Sequence, residues 1–354
     1  MDPRVERLAK IVVGHSCKVK RGDTVLISGS EDAIPLIKAI YKEVLLAGGL
    51  PRSNVIFNGR SYIYYKHADM KQINNFPQID YYEVRNTDCI IYIRSGNNKK
   101  ELSNVDEKKL AARARVLHKI GTYRVNNTRW CLVPYPTTAY AQDADMSLDE
   151  FEDYVYRACN VDYAAMTRKW QKLKQIMDRG DEVRITGLET NLTFSIKGRV
   201  AIANMGEYNV PDGEVFTAPV ENTANGEILF DYPAIYNNKE VDMVRLKFRD
   251  GKCIKATAAK NEGYLNSVLN TDKGARYLGE LGIGVNFNID RFIKDILFDE
   301  KIGGTVHLAL GQSYKWCKGK NDSAVHWDMI KDLRKDGKVT IDGRTILQNG
   351  KFRI

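Results

Sequence analysis

The stretch "DTVLISGSEDAIPLIKAIYKEVLLAGG", residues 23–49, decides the first half of the fold. It opens on a short apolar run closed by Gly29 and Ser30, the pattern of a buried strand. Apolar residues then recur at three- and four-residue intervals until Gly48 and Gly49, which predicts an amphipathic helix with a glycine stop. Before it, Val5, Leu8, Ala9 and Val12 repeat at helical spacing over residues 3–14. After it, "SNVIFNG" (53–59) and "DCIIYIRSG" (88–96) are two more apolar runs closed by glycine, with a polar helical stretch between them. Strand and helix alternate, so the expected architecture is an α/β domain with a largely parallel sheet. The Ser-Gly-Ser after the first strand lacks both the Gly-x-Gly-x-x-Gly pattern and the P-loop lysine, which removes a nucleotide-binding reading.

Farther along, the periodicity changes twice. "SLDEFEDYVYRAC" (147–159) and "DYAAMTRKWQKLKQIMDRGD" (162–181) are helical, and Ser147 with Glu150 has capping-box spacing. Beyond Gly180, "EVRITG", "NLTFSIKGR" and "VRLKFRDGKCIKATA" alternate every second residue, and Asp250-Gly251 reads as a hairpin turn. "KVTIDGRTILQNGKFRI" (338–354) holds two more turn signals, Asp-Gly and Asn-Gly. The expectation is two domains. Residues 1–180 form an α/β domain with a helical connector, and residues 181–354 form a mainly antiparallel β (α+β) catalytic domain with a helix such as "TDKGARYLGELG" (271–282).

Bulk composition narrows the function classes. The 354 residues, 43% hydrophobic and 28% charged, suit a soluble protein with a sizeable interior. There is no apolar run long enough for a transmembrane helix and no signal-peptide core in "MDPRVERLAKIVVGHSCKVKRGD", so a cytoplasmic location is expected. Six cysteines are spread evenly without a Cys-x-x-Cys pair, the pattern of reduced thiols. The net charge of +9 raises nucleic acid as a partner, but bases and acids are interleaved in "NVDEKKLAARARVLHK" and "DLRKDGKVTIDGR", so no nucleic-acid role is expected.

Two of the five histidines, His307 and His326, lie within one short window of the second half. In "HWD" (326–328), His326 and Asp328 project to one face of a strand while Trp327 points to the other. In "GGTVHLALG" (303–311), glycines at both ends and small residues beside His307 leave room around its imidazole. Two imidazoles and a carboxylate suit zinc, cobalt or manganese better than magnesium or calcium. On these segments alone, ordinary polar residues at a sheet surface are an equal reading. "NVPDGEVFTAP" (209–219) places Glu214 at the first position of a strand after a turn, and "YLGELGIGVN" (277–286) places Glu280 among apolar and glycine residues. A carboxylate in that second setting is buried, and must be paired, protonated or metal-bound. His15, His67 and His118 lack neighbouring ligands, and Trp316 and Trp327 read as packing residues.

Taken in order, "NVPDGEVFTAP", "GELGIGVN", "DEKIGGTVHLALGQSY" and "NDSAVHWD" resemble the metal-dependent aminopeptidases of the thermophilic type, the aminopeptidase T and aminopeptidase S family. The likeness extends back through "GLETNLTFSIKGR" and, more weakly, into the first half. It implies that Glu214, Glu280, His307, His326 and Asp328 hold two neighbouring divalent ions, with Tyr314 at the same centre. It also implies peptide substrates with a free N-terminus and a homodimer enclosing its active sites. Glu280 is then the first choice to take a proton from the attacking water, and Tyr314 a donor to the oxyanion. Glu300 is read as a partner that orients His307, the alternative being a turn with Lys301 held by a salt bridge. The competing readings are a dimetal amidase acting on another small amide and a nucleic-acid-binding protein on the same fold. The segment "KWCKGKNDSAV" (315–325) is short, which leaves the substrate-facing loop open to difference from longer relatives.

Overall fold

The computed structural model describes residues 2–237 and 239–354. The chain divides into two compact units, Met1–Val161 with Gly206–Pro211, and Asp162–Met205 with Asp212–Ile354. The division thus falls ahead of the expected position near 180. The helix Tyr163–Arg179 belongs to the second unit because its apolar side, which includes Trp170, Leu173 and Met177, is buried there against sheet strands.

In the first unit, β1 (Thr24–Ser30), β2 (Leu50–Ile56), β3 (Cys89–Arg94) and β4 (Arg129–Pro134) form a parallel sheet in the order β2-β1-β3-β4. The apolar run read from the sequence is β1, whose residues 25–29 are all buried because it pairs on both sides. The helix Ile34–Leu46 packs on this sheet and ends before Gly48, whose φ of +80° supplies the left-handed stop. Ser147 and Glu150 do form a capping box at the start of helix Leu148–Cys159.

The second unit is built from antiparallel sheets. Its strands are β5 (Glu182–Gly187), β6 (Thr190–Ser195), β7 (Ile202–Asn204), β8 (Glu214–Thr217), β9 (Asn225–Phe230), β10 (Ala234–Tyr236), β11 (Lys239–Val241), β12 (Val244–Arg249) and β13 (Lys252–Thr257). They continue with β14 (Leu278–Gly284), β15 (Thr305–Gly311), β16 (His326–Asp332), β17 (Lys338–Ile341), β18 (Arg344–Gln348) and β19 (Lys351–Phe352). Eight strands follow the order β13-β12-β9-β6-β5-β17-β18-β19, and five follow β16-β15-β14-β8-β7, with β10 and β11 paired separately.

The three turn signals act as read. Asp250-Gly251, Asp342-Gly343 and Asn349-Gly350 each place two consecutive residues at positive φ, the conformation that joins adjacent antiparallel strands tightly. One expectation fails: residues 271–282 are not a helix. Asp272 accepts hydrogen bonds from the amides of Gly274, Ala275 and Ala324, which fixes a loop. Leu278–Gly284 is then a fully buried strand between β8 and β15. Its apolar residues satisfy helical and strand spacing equally, and pairing on both edges decides for the strand.

Candidate metal centre

One face of the five-stranded sheet carries five of the six candidate residues, Glu214, Glu280, His307, His326 and Asp328. Antiparallel partners project to the same side, so the register alone places them together. Gly284 faces Glu214, Gly282 faces His307, Ala309 faces both Glu280 and Asp328, and Gly311 faces His326. A glycine or alanine therefore stands directly opposite each of these acids and imidazoles. The reason is steric: a Cβ on Gly282 would come within 2.0 Å of the His307 ring. On the opposite face Trp327 is 1% exposed and stacks on Tyr236, as the strand alternation requires.

Both imidazoles are oriented by the backbone. His307 Nδ1 donates to the Glu300 carbonyl at 3.0 Å, and His326 Nδ1 donates to the Gln312 carbonyl at 2.9 Å. A carbonyl only accepts, so Nδ1 carries the hydrogen in each ring and Nε2 is the atom presented to the acids. His307 Nε2 lies 3.4 Å from Glu214 Oε2 and 3.7 Å from Glu280 Oε1. His326 Nε2 lies 3.4 Å from Glu280 Oε2 and 3.5 Å from Asp328 Oδ2. Tyr314 completes the cluster, with its hydroxyl 3.4 Å from His326 Nε2 and its ring edge-on to Phe216.

These separations are long for hydrogen bonds. They match ligand atoms around a common cation, since bonds of about 2.0–2.2 Å at tetrahedral angles set neighbouring ligands about 3.4 Å apart. Asp328 Oδ1 points the same way, because it is buried without a hydrogen-bond partner. A buried, unpaired carboxylate oxygen is costly unless something charged meets it. The groups Glu280, His307, Asp328 and Glu214, Glu300, His307 each bring three ligand atoms within 4.8 Å of one another. The donor set and the spacing fit a divalent ion, and Glu280 turns one oxygen toward each imidazole.

The metal-free electrostatics follow from crowding. Burial pushes the Glu214 carboxyl up to about 8, only partly opposed by Lys301. Burial likewise raises Asp328 to about 6, against the pull of His326. Glu280 goes the other way, to about 2, because its bonds to both imidazoles and their charges outweigh its burial. Burial alone would lower both histidines, but Glu280 and Glu214 lift His307, and Asp328 and Glu280 lift His326, each to about 10.

The structure refines two of the sequence readings. Glu300 orients His307 through its backbone carbonyl, while its carboxylate pairs with Lys301. Trp316 is not packed away: it is 53% exposed and stacks on Tyr314. Sequence reasoning gave Lys301 a turn and a salt bridge, and the pair with Glu300 is present; what it missed is that the Lys301 side chain is fully buried, 3.8 Å from Glu214. The signal available was its place directly before the apolar and glycine run "IGGTVHLALG" (302–311), which carries the chain straight into the interior.

The sequence profile of the family described as thermophilic metalloprotease (M29) matches residues 1–352. The chain is 25% identical to Aminopeptidase 2 of Geobacillus stearothermophilus, with 97% of this chain and 95% of that one covered. It is 23% identical to Aminopeptidase AmpS of Bacillus subtilis (strain 168), covering 99% and 98%. Among solved structures, wild-type AmpT from Thermus thermophilus matches with a TM-score of 0.87 at 20% identity over 99% of both chains. A 2,5-dihydroxypyridine dioxygenase from Pseudomonas putida KT2440 matches at 0.64 and 12% identity, covering 98% and 96%. These two structures share the α/β plus antiparallel-sheet fold, and fold alone does not choose between chemistries.

Proposed function

This chain belongs to the thermophilic metalloprotease (M29) family and is a metal-dependent aminopeptidase, and we propose that it works through two divalent ions held on one face of the five-stranded sheet. The carrying observation is Glu280, whose two oxygens lie 3.7 and 3.4 Å from the Nε2 atoms of different histidines. One subsite is Glu214, His307 and Glu280; the other is Glu280, His326, Asp328 and Tyr314. Zinc, cobalt and manganese all suit this mixture of imidazole and carboxylate.

When bound, such a pair of ions supplies an activated water and polarises the scissile carbonyl. The protein's own groups do the rest. Glu280, the carboxylate facing both subsites, takes the proton from the water and passes it to the departing amine. The Tyr314 hydroxyl donates to the oxyanion as it forms. Trp316 extends this aromatic surface toward solvent beside Tyr314. Assembly as a homodimer and a cytoplasmic location belong to the same reading. Among the described residues no helix is long and apolar enough to cross a membrane. In the first unit, Ile34, Tyr41, Leu45, Leu46 and Val55 are all exposed around one groove, an apolar surface available to a second copy.

The deciding assay follows release of free amino acids from unblocked and N-acetylated peptides, with and without a chelator. Cleavage of the unblocked peptide alone, lost on chelation, is expected. Equal cleavage of both, or indifference to chelator, rejects the reading.

Metal binding is also expected to strengthen with pH. Without metal, His307 and His326 have pKa values raised from 6.5 to about 10. Their contribution to stability is therefore fully present below 6.5 and is lost as pH rises through 10. Glu214, raised from 4.5 to about 8, stabilises below 4.5 and loses that contribution through 8. An incoming cation must displace these protons, so its binding is favoured over the range in which they leave. The gain in Tm on adding Zn2+ or Co2+ should grow from pH 6 to pH 9, with protons released on titration. A gain independent of pH would contradict this electrostatic account.

A further inference from the structure

Lys301 stands apart from the ligand set, yet the side chain is 0% exposed and lies at the Glu214 end of the centre. Its ammonium is 3.8 Å from Glu214 Oε1 and pairs directly with the Glu300 carboxylate. The other Glu214 oxygen, Oε2, is the one turned toward His307, at 3.4 Å. Glu300 itself offers an oxygen within 4.8 Å of the ligand atoms of Glu214 and His307, so by distance it qualifies as a third ligand. At the other end, no lysine or arginine among the described residues pairs with Glu280 or Asp328. There the spare oxygen, Asp328 Oδ1, is left without a partner. The cation is thus confined to one of two otherwise comparable ends.

A buried ammonium is strongly unfavourable unless carboxylates meet it, and an apolar side chain would fill the same space without that cost. A catalytic metal also needs an open coordination position for water and substrate. A bidentate Glu214 together with Glu300 would close that position. We propose that Lys301 is a positioning residue that holds one oxygen of Glu214 and the carboxylate of Glu300 away from the ion, keeping the Glu214 subsite under-coordinated. This rests on the two-ion reading above. It separates binding from turnover: the lysine weakens metal binding at this subsite and thereby permits catalysis there.

The test compares wild type, Lys301→Met, Lys301→Arg and Glu300→Gln by Co2+ competition with a chelator, by the visible absorption of bound Co2+, and by kcat and KM. Lys301→Met should bind Co2+ more tightly than wild type and lose about 10–100-fold in kcat. Its Co2+ absorption should weaken as the coordination number rises, with KM little changed. Lys301→Arg, which keeps the charge, should retain the wild-type spectrum. Glu300→Gln should also leave the spectrum unchanged, because Glu300 is held off the ion. Weaker Co2+ binding by a folded Lys301→Met, or an altered spectrum in Glu300→Gln, overturns the proposal. Should Lys301→Met fail to fold, the Glu300→Gln spectrum decides alone. A wild-type protein that binds no divalent ion at all rejects the two-ion reading instead.

Discussion

Replacing Glu280 with glutamine is expected to abolish metal binding and to lower kcat/KM by about 10²–10⁴-fold or more, the range for loss of a group that also moves a proton. Among the described residues Glu280 alone pairs with both imidazoles: its oxygens lie 3.7 Å from His307 Nε2 and 3.4 Å from His326 Nε2. Glutamine keeps the shape and takes away the charge, so β14, buried along its whole length, retains its packing. The protein should therefore fold. The change should also be visible without metal. Both histidines owe part of their raised pKa, about 10, to Glu280, and that support disappears in the variant. Their imidazole NMR titrations should move down, because burial then acts with less opposition. Metal content and steady-state kinetics measure the first effect, and histidine titration measures the second. A variant that keeps two ions per chain and near-normal turnover would remove Glu280 from the centre.

How much of this was legible beforehand depended on the period of each segment. The apolar run of β1 and the helix after it were readable because buried parallel strands and amphipathic helices leave different repeats. Asp250-Gly251, Asp342-Gly343 and Asn349-Gly350 were readable because a tight hairpin demands residues that tolerate positive φ. His326 and Asp328 could be placed on one face from alternation alone. Their convergence with Glu214 and Glu280 could not, since it depends on the order β16-β15-β14-β8, and pairing between distant strands leaves no local trace. The same limit explains residues 278–284, where apolar spacing served helix and strand alike. It also explains Lys301 in part: the apolar and glycine run after it signals entry into the interior, but which acids meet its head depends on Glu214, a distant residue.

Gly282→Ala should be nearly as damaging as loss of a ligand, although glycine contributes no chemistry. Gly282 sits directly opposite His307 in the β14–β15 pairing, and the imidazole occupies the space a side chain would otherwise take. A methyl group there would lie 2.0 Å from both Cε1 and Nε2 of that ring. The contact is with the working end of a fully buried side chain whose Nδ1 is tied to the Glu300 carbonyl, so the ring cannot simply lean away. Either the hydrogen bond breaks and the ring swings out, or β14 separates from β15. Overpacking of this kind costs about 1–3 kcal/mol of stability. A displacement near 1 Å at a reacting centre costs about a hundredfold in rate. The expected variant is folded, melts a few degrees lower, binds less metal at the Glu214 subsite, and shows kcat/KM reduced about a hundredfold. Thermal denaturation, metal stoichiometry and kinetics test each part. Wild-type activity in Gly282→Ala would mean that His307 does not occupy this place in the working enzyme. Loss of activity with full metal content would assign the glycine to substrate access instead of ligand placement.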